Sequence, residues 1–454
     1  MTGCVAVFDL GKTNIKVVAF DDSGKVLAER GRANAPLAPD AHCPYLRLDT
    51  EGAWAFLISA LKDIGARFPV DAISIATHGA AGVLVTDQGV ALPPMDYEFD
   101  GFGDVDADYD AARPPFEETL SPNLTRGLNL GRQLFYLERA FPAEFAGASA
   151  FLAYPQYWAW RLSGVMATEV TSIASHADLW RPNEGRLSSM VDMLGWRRLF
   201  PPLRKAWETL GTLRPEVAAA TELKAGVRVV CGAHDSNASL VPHLVSRRDP
   251  FTVISTGTWV IIMAVGGKGR LDPKADMLAN VDVRGEPVPT ARLMGGREFA
   301  VLAGDAPAEA GEADVAAVVA SGAIAWPAFS DQGGPFAGRK GRIEGEAPAT
   351  PQARTALATL YSALMTAHLL RRLDAPGDLI VEGGFTRSPA FAAVLAGLMP
   401  DRRVVVAPKS AGAAAGAALL AHWGEPHEPP HLEAARAWAI PGLKAYRERW
   451  ERGL

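Results

Sequence analysis

Cysteine is scarce in this sequence: the 454 residues include three, Cys4, Cys43 and Cys231. None stands in a Cys-x-x-Cys pair, and three isolated thiols are too few for a disulfide framework and wrongly spaced for a zinc site. Long apolar runs are also missing, since none reaches the roughly 18 residues that a membrane helix needs. These absences predict a protein of the reducing cytoplasm that does not enter a membrane.

An excess of positive charge is absent as well. The sequence has 45 Lys and Arg against 51 Asp and Glu, for a formal net charge of -6, and its basic residues are scattered. A nucleic-acid surface needs clustered cations for its phosphate contacts. We therefore expect a small molecule, and no nucleic acid, as the partner.

The length is more than one hydrophobic core usually supports, which is roughly 250 to 300 residues, so two domains are expected. The boundary is predicted near residues 226–232, which gives domains of residues 1–230 and 231–454. The sequence leaves assembly into a homodimer open.

The order of predicted elements is mixed α/β. Strands at residues 4–10, 15–21 and 25–30 predict an antiparallel meander, which an amphipathic helix at 50–68 and a strand at 72–77 follow. A weakly similar order returns after the middle of the chain, in strands at 227–231, 251–255 and 259–265. Further segments are predicted as helices at 355–373, 389–399 and 411–423 and as strands at 82–86, 378–381 and 403–407.

Two stretches carry no chemistry that we could assign. Residues 100–118 are acidic and resemble the start of a calcium loop, but Tyr109 stands where the sharp turn requires glycine, which favours a solvated loop. The Ala- and Gly-rich residues 303–325 predict a mobile or inserted region.

One glycine that a P-loop requires is missing. The Gly-Lys-Thr at residues 11–13 would need glycine five positions earlier, where Ala6 stands, and a helix next, whereas residues 15–20 are strand-like. A hairpin turn at 9–14 can instead present N–H groups and hydroxyls to phosphate while Asp9 holds a hydrated Mg²⁺. A plain hairpin explains the pattern equally well. The candidate nucleotide ligands in this turn are Asp9, Gly11, Lys12, Thr13 and Asn14.

A second turn, at residues 255–258, also places hydroxyls and a glycine between two apolar strands, and its candidate phosphate ligands are Thr256, Gly257 and Thr258. Glycine there lets a phosphate approach the backbone closely. Upstream, Asp235 follows the strand at 227–231, where a carboxylate could deprotonate a sugar hydroxyl during in-line transfer. Its alternative role is a helix N-cap.

Paired glycines end the strand at 378–381. Gly383 and Gly384 would let a flat adenine lie against the backbone, and Ser388 stands just before Pro389 in the first turn of the next helix. An ordinary loop is the alternative.

In this order along nearly the whole chain, these segments resemble the FGGY carbohydrate kinases. The resemblance implies an α/β fold of two lobes, the actin-like ATPase (ribonuclease H-like) fold, with an interlobe cleft that binds ATP and Mg²⁺. It identifies the Asp9 turn and residues 256–258 as the two phosphate motifs, Asp235 as the catalytic base, and the glycine pair at 383–384 as the adenosine motif. Asp9 and Asp235 are the candidate metal ligands.

The segments around Asn129, Gln133 and residues 255–259 are most similar to the rhamnulokinase branch. This similarity implies a ketose substrate, a 6-deoxyketohexose such as L-rhamnulose or L-fuculose or a ketopentose, phosphorylated at a primary hydroxyl. Many members carry an Asp-x-Arg that this chain lacks at residues 94–98. A polyol kinase, or an actin- or chaperone-type ATPase without sugar transfer, is the alternative. The candidate sugar-binding residues are His78, Gly79, Asp96, Asn129, Gln133 and Asp235.

Overall fold

The computed structural model describes residues 3–331, 333–408 and 412–454. The chain divides into two compact units. The first contains Met1–Arg247, Ala279–Pro287 and Ala411–Pro429, and the second contains Arg248–Leu278, Val288–Ser410 and Pro430–Leu454.

The first unit is mixed α/β. Its strands are β1 (Cys4–Leu10), β2 (Asn14–Phe20), β3 (Val26–Ala33), β4 (Val70–Thr77), β5 (Gly82–Thr86), β6 (Gly89–Leu92), β7 (Ala150–Ala153), β8 (Trp180–Arg181), β9 (Arg186–Leu187), β10 (Thr209–Thr212), β11 (Arg228–Val230) and β12 (Ala233–His234). Its helices are α1 (Thr50–Gly65), α2 (Val105–Ala112), α3 (Phe116–Thr119), α4 (Leu130–Ala140), α5 (Pro142–Gly147), α6 (Tyr154–Ser163), α7 (Val170–Ile173), α8 (Ser189–Met193), α9 (Pro215–Thr221), α10 (Asp235–Ala238), α11 (Val241–Ser246) and α16 (Gly412–Leu420), with 3₁₀ turns at Arg126–Leu128 and Trp196–Leu199.

The main sheet of this unit has the strand order β10-β11-β4-β1-β2-β3, and β12 pairs with β4. Strand β1 runs antiparallel to β2 and parallel to β4, so that Asp9 lies opposite Ala76. Strand β12 is also parallel to β4, with His234 opposite Thr77. Strands β1 and β4 are almost wholly buried, as is typical of strands covered on both faces. The carboxyl ends of β1, β4 and β12 therefore lie side by side at one edge of the sheet.

The second unit is built in a similar way. Its strands are β13 (Phe251–Thr256), β14 (Val260–Val265), β15 (Met277–Val281), β16 (Pro287–Leu293), β17 (Ile324–Trp326), β18 (Arg342–Glu344), β19 (Asp378–Gly383), β20 (Val404–Val406) and β21 (Glu433–Ala434). The end of β15, residues 279–281, and Pro287 of β16 are assigned to the first unit. Its helices are α12 (Gly295–Ala303), α13 (Glu312–Ser321), α14 (Pro351–Arg372), α15 (Pro389–Leu398) and α17 (Leu443–Arg452), with 3₁₀ turns at Pro273–Ala275 and Gly384–Arg387.

The sheet of the second unit has the order β15-β16-β14-β13-β19-β20-β21. Strand β13 is antiparallel to β14 and parallel to β19, which is the relation that β1 has to β2 and β4. The hairpin that the sequence predicts at 251–265 therefore repeats the hairpin of β1 and β2, whereas the strand predicted at 227–231 is β11 of the first sheet. The long helix α14, buried along most of its length, packs against α12, α13 and α15 within this unit.

The solvated loop predicted at residues 100–118 is wrong. These residues contain helices α2 and α3 because Tyr109 is fully buried and its hydroxyl donates to Asp178 Oδ2 at 2.5 Å, while Asp104, Asp108 and Asp110 are exposed. Residues 303–325, predicted as mobile or inserted, contain α13 and the start of β17. The buried Val315 and Val318 of α13 pack into the core.

The predicted division at residues 230/231 falls within the first compact unit, because β12 pairs with β4 and α10 packs on α16. Of the helix predicted at 411–423, Ala411 lies outside the described residues, and the helix itself is Gly412–Leu420. Among the described residues, none of the helices combines the length and the apolar character needed to span a bilayer.

Candidate active site

Three of the predicted site residues meet at the carboxyl edge of the first sheet. Asp9 lies near the end of β1, His78 directly follows β4, and Asp235 directly follows β12. The backbone N–H of His78 donates to the carbonyl of Leu10 at 2.9 Å, which joins the ends of β1 and β4. Ligand sites of open α/β sheets lie outside the carboxyl ends of the strands. The topology thus brings the predicted base and the predicted metal ligand to one edge.

Asp9 and Asp235 interact electrostatically. Burial, and next the negative charge of Asp235, raises the pKa of Asp9 to about 6. Burial also raises the pKa of Asp235, which the neighbouring His78 opposes. Two carboxylates that disfavour each other's charge would both gain from a divalent cation. The described residues include no group of three or more potential ligands, and Mg²⁺ usually takes one or two carboxylates together with water and phosphate oxygens. The residues present therefore fit Mg²⁺.

The protein holds Asp235 through one of its two carboxylate oxygens. Oδ1 accepts from the backbone N–H of Ser236 at 2.6 Å and from its hydroxyl at 3.3 Å, and lies 3.2 Å from His234 Nε2. Among the described residues, Oδ2 has no hydrogen-bond partner, and the side chain is 30% exposed. Oδ2 is thus the oxygen that can receive a proton from a ligand.

His234 orients this carboxylate. Burial lowers the pKa of His234 to about 4, so the ring is neutral at pH 7. The side-chain N–H₂ of Asn237 can only donate, and it lies 3.0 Å from His234 Nδ1. The ring proton is therefore on Nε2, the nitrogen that faces Asp235.

A buried acid supports the backbone of His234. The His234 N–H donates to Thr171 Oγ1 at 2.9 Å, and the Thr171 hydroxyl donates to Glu169 Oε2 at 2.5 Å. Glu169 is fully buried, which raises its pKa to about 8. Sequence reasoning assigned no role to His234 or to these residues. The short N-cap pattern Glu169-x-Thr171 could have drawn attention to them, since Glu169 accepts from the Thr171 N–H at 3.0 Å.

His78 presents an unpaired nitrogen. Its Nδ1 lies 2.9 Å from the Gly79 carbonyl, which only accepts, so Nδ1 carries the proton. Burial lowers the pKa of His78, which keeps the ring neutral. Nε2 is buried and has no partner in the part of the chain that the structure describes. Such a buried acceptor is costly unless a ligand hydroxyl satisfies it.

Gly79 and Gln133 shape the turn that follows His78. A Cβ on Gly79 would lie 2.6 Å from His234 Nε2, so only glycine fits against that ring. The Gln133 amide donates to the carbonyls of Ala80 and Gly127 at 2.8 and 2.6 Å, which fixes the turn. The predicted contact of Gln133 with sugar stays a prediction.

The first predicted phosphate turn has its backbone fixed and its tip open. Asn34, which sequence reasoning missed, donates through its side chain to the carbonyl of Gly11 at 3.2 Å and through its backbone to that of Thr13 at 2.8 Å. Thr13 and Asn14 are exposed. Lys12 instead points its ammonium at the carboxylate of Asp96.

Asn129 belongs to a structural network. It is fully buried, its Oδ1 accepts from the Leu124 N–H at 2.9 Å, and its Nδ2 donates to the carbonyls of Pro122 and His176. Nδ2 also lies 3.2 Å from Asp178 Oδ2. Both polar atoms are thus occupied by the protein, and the predicted contact with sugar stays a prediction.

In the second unit, the other phosphate turn lies beside the predicted adenosine motif. Thr256 and Gly383 are opposite each other on the parallel strands β13 and β19. The Thr256 hydroxyl donates to the Glu382 carbonyl and accepts from the Phe385 N–H at 2.9 Å. Gly383 has φ 85°, and a Cβ there would lie 2.1 Å from the Thr256 carbonyl oxygen, so glycine is required.

Four residues that the sequence singled out are exposed at this edge of the second sheet: Gly257, Thr258, Gly383 and Gly384. Ser388 lies farther along, where its hydroxyl accepts from the Ala390 N–H at 3.3 Å and caps α15. Gly296, at the start of α12, also contacts this turn, since its N–H donates to the Thr258 carbonyl at 3.2 Å. Sequence reasoning did not single out this residue.

The two sheets, each with a hairpin and a parallel neighbour, define a two-lobed actin-like α/β fold. A model described as FGGY family of carbohydrate kinases, N-terminal domain, matches residues 124–242, and one described as carbohydrate kinase FGGY, C-terminal domain, matches residues 248–429. This chain belongs to the FGGY family of carbohydrate kinases.

Solved structures and curated relatives agree with this assignment. A carbohydrate kinase from Novosphingobium aromaticivorans is 36% identical with a TM-score of 0.92, covering 100% of this chain and 98% of that one. A xylulose kinase from Rhodospirillum rubrum has a TM-score of 0.80 at 19% identity, covering 99% and 98%, which is a likeness of fold. An L-fuculokinase from Salmonella typhi is 26% identical over 270 residues, so that the match spans 58% of this chain and only 57% of the relative.

Proposed function

We propose that this protein transfers the γ-phosphoryl group of ATP to a primary hydroxyl of a small ketose, with Asp235 as the general base. The observation that carries the proposal is that Asp235 Oδ2 and His78 Nε2, both at the carboxyl edge of the first sheet, have no hydrogen-bond partner among the described residues. A general base needs an oxygen that makes no hydrogen bond within the protein. A sugar site needs polar atoms that can form hydrogen bonds with the sugar hydroxyls.

The environment of Asp235 suits proton transfer. Because burial raises its pKa, the carboxylate is more basic than an exposed aspartate. His234 and Ser236 hold Oδ1, so that the carboxylate need not reorganise when Oδ2 takes the proton. The sugar hydroxyl would thereby become the nucleophile that attacks the γ-phosphorus in line.

Mg²⁺ would be held by Asp9 and Asp235, where it would neutralise charge on the phosphates. The turn at residues 11–14 and the exposed backbone of Gly257, Thr258, Gly383 and Gly384 would contact ATP, as the family resemblance implies. In support, Gly257, Thr258, Gly383 and Gly384 are exposed, and glycine lets a phosphate approach the backbone closely.

The proposed acceptors are ketoses of five or six carbons, above all the 6-deoxyketohexoses L-rhamnulose and L-fuculose, phosphorylated at C1. The similarity to L-fuculokinase supports this choice. An unhindered primary hydroxyl can reach both the base and the phosphorus. The hydroxyls farther along the sugar would meet His78 and Asp96, whose polar atoms discriminate epimers because a missing partner leaves a buried group unpaired.

The test is coupled ADP release with L-rhamnulose, L-fuculose, D-xylulose, L-ribulose, glycerol and erythritol, with the product position assigned by phosphorus NMR. We expect a ketose to give the highest kcat/KM and a primary phosphate ester as the product. Reaction with polyols alone would replace the ketose assignment by a polyol kinase. ADP release at the same rate without acceptor would replace it by an ATPase.

A further inference from the structure

Lys12 lies in a turn predicted to bind phosphate, but its side chain pairs with carboxylates outside that turn. Its ammonium donates to Asp96 Oδ2, lies 3.4 Å from Glu98 Oε2, and stands 4.8 Å from the centre of the Tyr97 ring. The Lys12 side chain is 17% exposed and that of Asp96 is 0% exposed. The cation therefore belongs to the segment at residues 96–98, where the family's Asp-x-Arg would place an arginine and this chain has Glu98.

A role as phosphate ligand would carry a high cost. Lys12 would have to leave Asp96, whose other oxygen already accepts from the Glu98 N–H at 2.9 Å. Asp96 would then be a fully buried carboxylate without its counter-ion, which is strongly unfavourable. The geometry thus favours a Lys12 that stays with Asp96 while a ligand binds.

The surroundings of this pair identify the kind of ligand. Tyr97, whose ring centre lies 4.8 Å from the Lys12 ammonium, also contacts His78, with the two ring centroids 5.8 Å apart. Asp235 follows β12, the neighbour of the strand that His78 follows, so these groups surround the same small region. The charge of Lys16, which acts on Asp9, is already paired with Glu29 at 3.1 Å. Carboxylates thus predominate around His78, and such a field repels an anionic ligand.

We propose that Lys12 is a specificity-determining residue of the acceptor site, and that this site takes uncharged polyhydroxylated sugars and rejects sugar acids. The inference rests on the proposed function, since it assigns the acceptor pocket of that reaction. A sugar hydroxyl next to the pair would accept from the Lys12 ammonium, which Asp96 holds in place, while another hydroxyl donates to His78 Nε2. A carboxylate in the same place would face Asp96 and Glu98.

Lys12→Met removes the charge at similar length, Lys12→Arg keeps the charge, and Lys224→Met changes an exposed lysine as the matched control. For Lys12→Met we expect the acceptor KM to rise by about 10-fold or more, as for the loss of a charge-assisted hydrogen bond. The Kd of a nonhydrolysable ATP analogue, measured by calorimetry, should stay within about twofold. Lys12→Arg should restore part of the acceptor affinity, and Lys224→Met should behave as wild type.

The inference is overturned if Lys12→Met weakens binding of the ATP analogue as much as it weakens the acceptor, or if it leaves both unchanged. If Lys12→Met fails to fold, two other measurements still test the inference. One is the acceptor affinity of Lys12→Arg, and the other is the rate of wild-type protein with xylitol against xylonate and with glucitol against gluconate. We expect no acid to react better than its uncharged counterpart, and a preference for an acid would overturn the inference. Failure of the proposed function is a separate result, because wild-type protein would then phosphorylate no acceptor at all.

Discussion

Replacing Thr256 by Val tests whether this hydroxyl holds the second sheet edge together. The side chain is 4% exposed, and its oxygen both donates to the Glu382 carbonyl and accepts from the Phe385 N–H at 2.9 Å. Valine keeps the shape but removes both bonds. Leaving a buried backbone N–H unpaired costs about 1–3 kcal/mol, so the free energy of unfolding should fall by about that amount.

The same change should loosen the 3₁₀ turn Gly384–Arg387, because the Phe385 N–H anchors it. We therefore expect weaker binding of an ATP analogue together with a lower urea midpoint at unchanged slope. Thr256→Ser keeps the hydroxyl and is the control, for which both effects should be small. A Thr256→Val protein with wild-type stability and weakened nucleotide binding would refute this reasoning and make the hydroxyl a phosphate ligand.

Three further predictions concern ionisation and buried contacts. Glu169→Gln mimics the protonated acid, so at pH 8 it should be more stable than wild type in urea unfolding, with the difference shrinking toward pH 5. The sign follows because burial raises the folded pKa to about 8 from a usual 4.5, so that folding stability falls as pH rises through that window. The rate of acceptor phosphorylation should fall on acidification as Asp9 and Asp235 take up protons. A higher Mg²⁺ concentration should move this fall in the pH–rate profile to lower pH. A profile that does not respond to Mg²⁺ would contradict metal binding by Asp9. Asn129→Ala should lower the free energy of unfolding by about 1–3 kcal/mol and leave the acceptor KM within about twofold, whereas a raised KM at unchanged stability would restore its predicted contact with sugar.

Much of the sheet architecture could be predicted from the sequence. Strand β1 was predicted with its observed ends, Cys4–Leu10, because a run that is apolar apart from Asp9 and ends at a glycine turn favours a strand. Helix α2 was missed because acidic residues hide its single buried anchor, Tyr109, whose partner Asp178 lies 69 positions away in the chain. Local pattern carries no information about a contact at that separation.

The sequence predicts Asp9, His78 and Asp235 as site residues because each follows or ends a buried strand next to glycine or a hairpin, and their roles stay predictions. It could not show what each side chain touches. Lys12 was assigned to phosphate from its turn, whereas its ammonium is held by Asp96, 84 positions away. His234 was passed over because only the folded structure shows that Asn237 fixes its tautomer toward Asp235.

The central claim is that Asp235 accepts the proton of the sugar hydroxyl, and single-turnover transfer in Asp235→Asn tests it most directly. The variant keeps the shape of the side chain and loses its basicity, so the rate with the best acceptor should fall by about 10² to 10⁴, the usual contribution of a general base. Asp87→Asn, at an exposed turn, should retain wild-type rates. Binding of the ATP analogue to Asp235→Asn, measured by calorimetry, should stay close to wild type. An Asp235→Asn protein that phosphorylates the acceptor at the wild-type rate would contradict the account.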